Sequence, residues 1–276
     1  MQTDLLADTR ILVTRPAHQA QLLCDMLKAH GGQAIRFPVI KIEAIALSKK
    51  LINTIADINK IDFAIFISAN AVEYGIAQLL AHGKIPDTLK LVTIGKASAQ
   101  KMKQVLGRMP DIYPTQQYNS EALLALDSLQ HEQVNNKTVI IFRGCGGREL
   151  LATSLLQRGA RVTYAEVYQR VKPEPEASGL KIIWGASKRP DIVTVTSNEG
   201  LHNLVSMLKG VLSDDKTEKH SYLEYLWQTP LVVVTDKMRK EARTLGFKNA
   251  IIVAARASND ALLDSVLEWA KMRITN

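Results

Sequence analysis

A chain of 276 residues, 46% hydrophobic and 22% charged, has the composition of a folded globular protein and is long enough for two medium domains. No apolar run approaches the ~20 residues a membrane-spanning helix needs, and MQTDLLADTR lacks the charged and apolar segments of a signal peptide, so a cytoplasmic protein with no membrane partner is expected. The net charge of +8 favours an anionic ligand, yet the lysines and arginines are dispersed and no zinc finger or RNA-binding signature accompanies them, which argues against nucleic acid.

In chain order, short β-branched or apolar runs alternate with amphipathic helices. Ile11–Thr14 reads as a strand, 17–30 as a helix with Ala20, Leu23, Met26 and Leu27 on one face, and Ala34–Phe37 as a second strand. Phe37–Ile42 carries Pro38 and reads as an extended crossover. Strands follow at Phe63–Ile67, Leu91–Ile94, Val139–Phe142 and Val162–Val167, with helices over 71–81 and 149–158. Glu166–Pro175 is a second proline-bearing crossover. Strands at Ile192–Val195, Leu231–Val234 and Ile251–Ala254 complete the set, and the polar stretch Lys209–Thr229 reads as a surface excursion. Alternation at this spacing predicts an α/β protein with parallel sheets flanked by helices, and the strands are too many for one compact sheet. The two cysteines, Cys24 and Cys145, show no disulfide or metal spacing, which fits a reducing compartment.

An internal repeat underlies this pattern. Residues 11–40 match residues 139–168 at an offset of 128, pairing Arg15 with Arg143, Leu23 with Leu151, Leu27 with Leu155, Gly31 with Gly159 and Val39 with Val167. The stretch DFAIFIS at 62–68 matches DIVTVTS at 191–197, and SEALL at 120–124 matches NDALL at 259–263. Two similar halves predict two similar domains, with a ligand cleft between them.

Ligands of open α/β sheets bind beyond the carboxyl ends of strands, where helix N-termini present free N–H groups. Those positions hold Thr14-Arg15-Pro16, Ser68-Ala69-Asn70, Gly95 to Ser98, Arg143 to Gly147, Thr196-Ser197-Asn198 and Thr235-Asp236. Each hydroxyl or amide alone is explained by helix capping, but their recurrence at six strand ends suggests a floor rich in donors, suited to carboxylates. Arg143-Gly-Cys-Gly-Gly147 lacks the spacing of a dinucleotide loop and of a Walker A loop, and its glycines suit a tight turn approached by an anionic group. The six histidines form no metal motif and there is no G-x-S-x-G elbow, so no metal site is expected. Cys24 is expected in a helix core and Cys145 as a small turn residue. Tyr168 ends the run VTYAEVY and opens the second crossover, where its phenol could exchange a hydrogen bond without carrying charge. An amphipathic residue stiffening a linker is the competing reading.

The segments ILVTRP, IFISANAV, VTIGKASAQKM, YNSEALLAL, IIFRGCGGRELLATSLLQRGARVTYAEVYQR, VTVTSNEGLHNL and ASNDALL, in this order, resemble the uroporphyrinogen-III synthase family. RG-x-GGRELL followed by VY-x-R is the most specific part. The resemblance implies two flavodoxin-like α/β domains joined by a two-stranded linker, with the active-site cleft between them. One domain is then 1–37 plus 174–276 and the other 43–167, with linkers at 38–42 and 168–173.

The same resemblance implies cyclisation of hydroxymethylbilane, a linear tetrapyrrole with eight carboxylates, to uroporphyrinogen III with loss of water. The terminal hydroxyl leaves to give an azafulvene, and ring D attacks through its substituted carbon. The resulting spiro intermediate recloses with that ring inverted, and no metal or organic cofactor takes part. Tyr168 matches the family's functional tyrosine and is the expected catalytic residue. Arg15, Ser68, Asn70, Ser98, Arg143, Gly144, Ser197 and Thr235 are the expected substrate-binding residues; Ser98 stands where the family commonly has Thr. Thr235-Asp236-Lys237 departs from the family pattern. A monomer is expected, with transient handover from hydroxymethylbilane synthase. The alternative is a non-catalytic two-domain module that binds tetrapyrrole-like anions.

Overall fold

The structure, a computed structural model, describes residues 4–185, 189–209 and 216–275. Its first half contains β1 (Arg10–Val13), α1 (Ala17–Ala29), β2 (Gln33–Arg36), β3 (Lys41–Ala44), α2 (Lys49–Ala56), β4 (Phe63–Phe66), α3 (Ala69–Ala81), β5 (Lys90–Thr93), α4 (Lys96–Leu106), α5 (Ser120–Leu124) and α6 (His131–Val134). The second contains β6 (Thr138–Gly144), α7 (Leu150–Gln157), β7 (Arg161–Val171), α8 (Ala177–Trp184), β8 (Ile192–Thr194), α9 (Asn198–Lys209), α10 (Lys216–Gln228), β9 (Leu231–Val233), α11 (Asp236–Thr244), β10 (Ile251–Val253) and α12 (Asn259–Thr275). Among the described residues no helix is long and apolar enough to cross a membrane.

The strands form two five-stranded sheets, one ordered β10-β9-β8-β1-β2 and the other β3-β7-β6-β4-β5. β1 pairs in parallel with both β2 and β8, and β4 pairs in parallel with both β5 and β6. The chain divides into two compact units, Met1–Lys41 with Val171–Asn276, and Ile42–Arg170. In the first unit the order is the 2-1-3-4-5 of flavodoxin-like folds. In the second unit β5-β4-β6-β7 follows the same order, with β3 as the fifth strand.

The repeat relates the two sheets in another sense, β1 to β6, β2 to β7 and β8 to β4, and holds down to the register. Ile11 lies opposite Ala34 and Ile192, and its counterpart Val139 lies opposite Val162 and Phe63. The acidic residue that opens the second repeated stretch is explained in the same way. Asp191 exchanges N–H···O bonds with Arg10, its carboxylate accepting from the Arg10 N–H at 2.8 Å. Asp62 does the same with Thr138, also at 2.8 Å, and adds Lys137 at 3.0 Å. Both carboxylates staple the amino ends of neighbouring strands, where no ladder bond would otherwise reach.

Burial alone would push the Asp62 carboxyl up, but the Thr138 N–H, then Lys137 and the charge of Arg161, hold it below the usual range. A depressed folded-state value stabilises the fold above the unfolded value of about 4 and is lost as pH falls through the lower folded value. Asp62→Asn should therefore cost about 1 kcal/mol at pH 7, discounted for its partial exposure. The gap from wild type should narrow in urea melts as pH drops below about 4; a gap independent of pH would contradict this.

Within the second unit, alternation puts Ala64, Phe66, Ile140 and Phe142 on one face with α3, and Phe63, Ile65, Val139 and Ile141 on the other with Leu151 and Leu155 of α7. Phe66 and Phe142 stack across strands at 4.7 Å. In the first unit Ile11, Val13 and Ile192 meet Leu23, Cys24 and Leu27 of α1, so Cys24 is a core residue.

Four local features differ from expectation. Lys41–Ala44 forms an edge strand rather than ending a crossover. Residues 38–40 belong to the first unit: the Val39 N–H donates to the Thr14 carbonyl, and Asn203 donates to the Val39 carbonyl. At the other crossing β7 continues through Val171, so Tyr168, Gln169 and Arg170 are strand residues of the second unit, not linker. The stretch 209–229 is largely helical: α10 buries Tyr222 and Leu226, while 210–215 fall outside the described residues.

Candidate active site

In each sheet the connections reverse direction at one place, between β4 and β6 in the second unit and between β1 and β8 in the first. Loops leaving neighbouring strands there in opposite directions open a crevice at the carboxyl ends. In the second unit Ser68 follows β4, Gly144 ends β6, and Tyr168 lies in β7 opposite Gly144.

Tyr168 reaches this position through a bulge. The β6–β7 register runs evenly to Arg143 opposite Glu166, then skips Val167 so that Gly144 faces Tyr168. Skipping one residue reverses the alternation of side chains. Ala165 and Val167 already face α3, and the bulge turns Tyr168 to that face as well. Its ring is buried, 5.9 Å from the Tyr74 ring of α3, and fills the space that a side chain on Gly144 would need. Its hydroxyl is 3.1 Å from Ser68 Oγ. That oxygen also caps α3 by accepting from the Ala71 N–H at 3.0 Å.

The expected binding residues divide by what their side chains already do. Ser68, Ser197 and Thr235 are caps, the last two accepting from the Gly200 and Met238 N–H groups at 3.0 and 3.1 Å. Asn70 and Ser98 are buried in the first turns of α3 and α4, and neither side chain has a hydrogen-bond partner among the described residues. One turn further along, Glu73 and Lys101 join the same two helices at 2.9 Å. Arg15 binds Asn259 and the Ala257 carbonyl, and burial pulls its guanidinium down from the ordinary value. It remains a cation at any physiological pH.

Arg143 is not presented to a ligand. Its guanidinium is 2% exposed, stacks 4.5 Å from the Tyr164 ring centroid, and donates to the carbonyls of Gly144 and Gly146 and to Glu149. Gly146 and Gly147 have φ of 72° and 110°, and this left-handed turn folds back over the arginine. The close approach expected of an external anion is made by the chain's own side chain. Tyr164 donates to Glu149 at 2.9 Å, and burial together with that carboxylate pushes its phenol up. The Cys145 N–H donates to the Tyr168 carbonyl at 2.9 Å, and the Cys145 side chain is exposed. The sequence reading gave no role to Tyr74, on an ordinary helical position, or to Tyr164 and Glu149, although both lie inside the quoted VTYAEVY and GGRELL segments.

The chain matches the family described as Uroporphyrinogen-III synthase HemD over residues 21–264. It belongs to the uroporphyrinogen-III synthase family. The uroporphyrinogen-III synthase of Escherichia coli is 33% identical over 254 residues, covering 92% of this chain and 98% of that protein. That of Salmonella typhimurium is 34% identical over 255 residues, with the same coverage of 92% and 98%. Two solved structures, one from Helicobacter pylori and one of a mutant from Thermus thermophilus, share the fold. The first has a TM-score of 0.54 at 14% identity, covering 95% of this chain and 99% of its own. The second has 0.53 at 13%, covering 96% and 99%. The uroporphyrinogen-III synthase resemblance read from the motifs is thus established at the level of the family, as is the two-domain α/β fold it implied.

Proposed function

We propose that the chain is a uroporphyrinogen-III synthase, converting hydroxymethylbilane to uroporphyrinogen III with loss of water and inversion of ring D. The observation that carries this reading is an inequality between the repeats. Ser68 and Ser197 are equivalent and both cap helices, but the position equivalent to Tyr168 in the first unit is Ile40. One of two matched sites has gained a phenol, a register bulge that aims it, and a hydrogen bond to the capping serine. That departure from the shared scaffold supports bond breaking at the second unit's strand ends. Tyr168 donates to the departing hydroxyl, whose loss yields the azafulvene as its N-protonated cation.

Eight carboxylates on the substrate suit a protein of net charge +8. Asn70 and Ser98, with the free N–H groups opening α3 and α4, take carboxylates on the second unit. Arg15, Ser197 and Thr235 serve the same purpose on the first. Arg143 and Gly144 act by shaping the turn against Tyr168. The chain works as a cytoplasmic monomer that receives its unstable substrate from hydroxymethylbilane synthase; its unpaired cysteines suit a reducing compartment.

The test is a coupled assay in which hydroxymethylbilane is generated in situ, the chain is added, and the oxidised products are resolved by isomer. Isomer III should predominate. Isomer I alone would sink the assignment, and binding of the bilane without turnover would favour a non-catalytic module.

A further inference from the structure

Ser68 does more than begin a helix, and we infer that it is a positioning residue for the proton of Tyr168. A hydroxyl has one proton to give and two lone pairs to receive with. One lone pair of Ser68 Oγ is committed to the Ala71 N–H at 3.0 Å, which fixes the oxygen at the amino end of α3. The neighbour left within reach is the Tyr168 hydroxyl, 3.1 Å away, and neither group has another side-chain partner among the described residues.

This inference rests on the proposed dehydration. When the terminal C–O bond breaks, the bonding pair leaves with oxygen, and the Tyr168 proton moves to that oxygen to complete water. The organic fragment is left as a cation, and the Tyr168 oxygen, now without its proton, can only accept. Ser68 is the donor in place to meet it. The chain of donation then runs from the Ala71 N–H to Ser68, from Ser68 to Tyr168, and from Tyr168 to the leaving oxygen. Each link polarises the next, and the amino end of a 13-residue helix favours the negative charge that develops at its far end. The proton released when ring D loses its extra hydrogen restores the phenol. The equivalent serine, Ser197, makes the same cap at 3.0 Å but has Ile40 where Ser68 has Tyr168, so the relay belongs to one unit.

The experiment compares kcat and KM of the full-length wild type with Ser68→Ala, Ser68→Thr, Tyr168→Phe and the Ser68→Ala/Tyr168→Phe double variant, alongside their thermal unfolding. Ser68→Ala should lower kcat about 10-fold with little change in KM. Ser68→Thr, which keeps both the cap and the donor, should restore most of it. In the Tyr168→Phe background, Ser68→Ala should cost no further kcat, while still lowering the unfolding midpoint through loss of the cap. An equal kcat loss in both backgrounds, or a loss confined to KM, would overturn the relay. Unchanged turnover in Tyr168→Phe would instead defeat the role given to the tyrosine, and isomer I from wild type would defeat the proposed reaction itself.

Discussion

Tyr168→Phe should reduce turnover roughly 10- to 100-fold while leaving KM and the unfolding midpoint close to wild type. The ring supplies the packing: it lies against Tyr74 at 5.9 Å and against Gly144, and phenylalanine preserves both contacts. What is removed is a single hydroxyl, bonded among the described residues to Ser68 alone. Ser68 loses its acceptor, but its Oγ still accepts the Ala71 N–H and the residue is only partly buried, so its O–H can turn to water at little cost. The expected effect therefore falls on the step in which the substrate's hydroxyl departs. Single-turnover measurement of isomer III formation is the suitable readout, because the bilane also closes unaided to isomer I and consumption of substrate alone would hide the loss. Turnover equal to wild type would reduce Tyr168 to a core residue of β7.

Strand positions were legible in the sequence because a fully buried parallel strand such as Phe63–Phe66 leaves an uninterrupted apolar run between polar breaks. Lys41–Ala44 was not, because an edge strand with two exposed and two partly buried residues leaves no such run. The repeat was visible, but its tandem order conceals how the sheets are assembled. The first copy of 11–40 joins the second copy of 62–68, as β1 beside β8, and the other two copies join as β6 beside β4. Sequence similarity reports which segments are alike and is silent on which of two equivalent partners each one chooses.

The candidate site was legible as a set of positions and illegible in its division of labour. Strand-end serines and threonines read equally well as caps or ligands, and in the structure Ser68, Ser197 and Thr235 all cap through one lone pair, which leaves each hydroxyl proton for a second partner. Arg143 read as a cation awaiting an anion; its five donors are instead consumed largely by its own turn and by Glu149. Tyr168 was identified by its place in a motif. The means of its orientation was hidden, since simple alternation along VTYAEVY puts it on the same face as Tyr164 and only the skipped Val167 turns it away. A bulge depends on pairing between strands, which no local pattern records.

Gly144→Ala should cost more than any side-chain truncation near the site, because the added methyl has no room. A Cβ on Gly144 would lie 2.7 Å from Cε2 and Cζ of Tyr168 and 3.1 Å from its hydroxyl oxygen. The backbone there is not left-handed, so alanine meets no conformational strain and the whole effect is this one collision. The ring cannot swing aside freely, since Tyr74 lies on it and the chain on either side is bonded into β7. Either the ring tilts and its hydroxyl leaves Ser68, or β6 and β7 part at the bulge. Overpacking of this kind costs about 1–3 kcal/mol of stability. Displacement of a reacting group by roughly 1 Å can cost about 100-fold in rate. The rate should therefore fall well beyond what the loss of stability explains, and at temperatures where the variant is fully folded. Pairing Gly144→Ala with Tyr168→Phe separates the two contributions. The stability loss should persist, because the phenylalanine ring occupies the same space, while the rate loss should largely vanish once there is no hydroxyl left to misplace. A rate loss that survives undiminished in the double variant would mean that Gly144 serves the substrate directly.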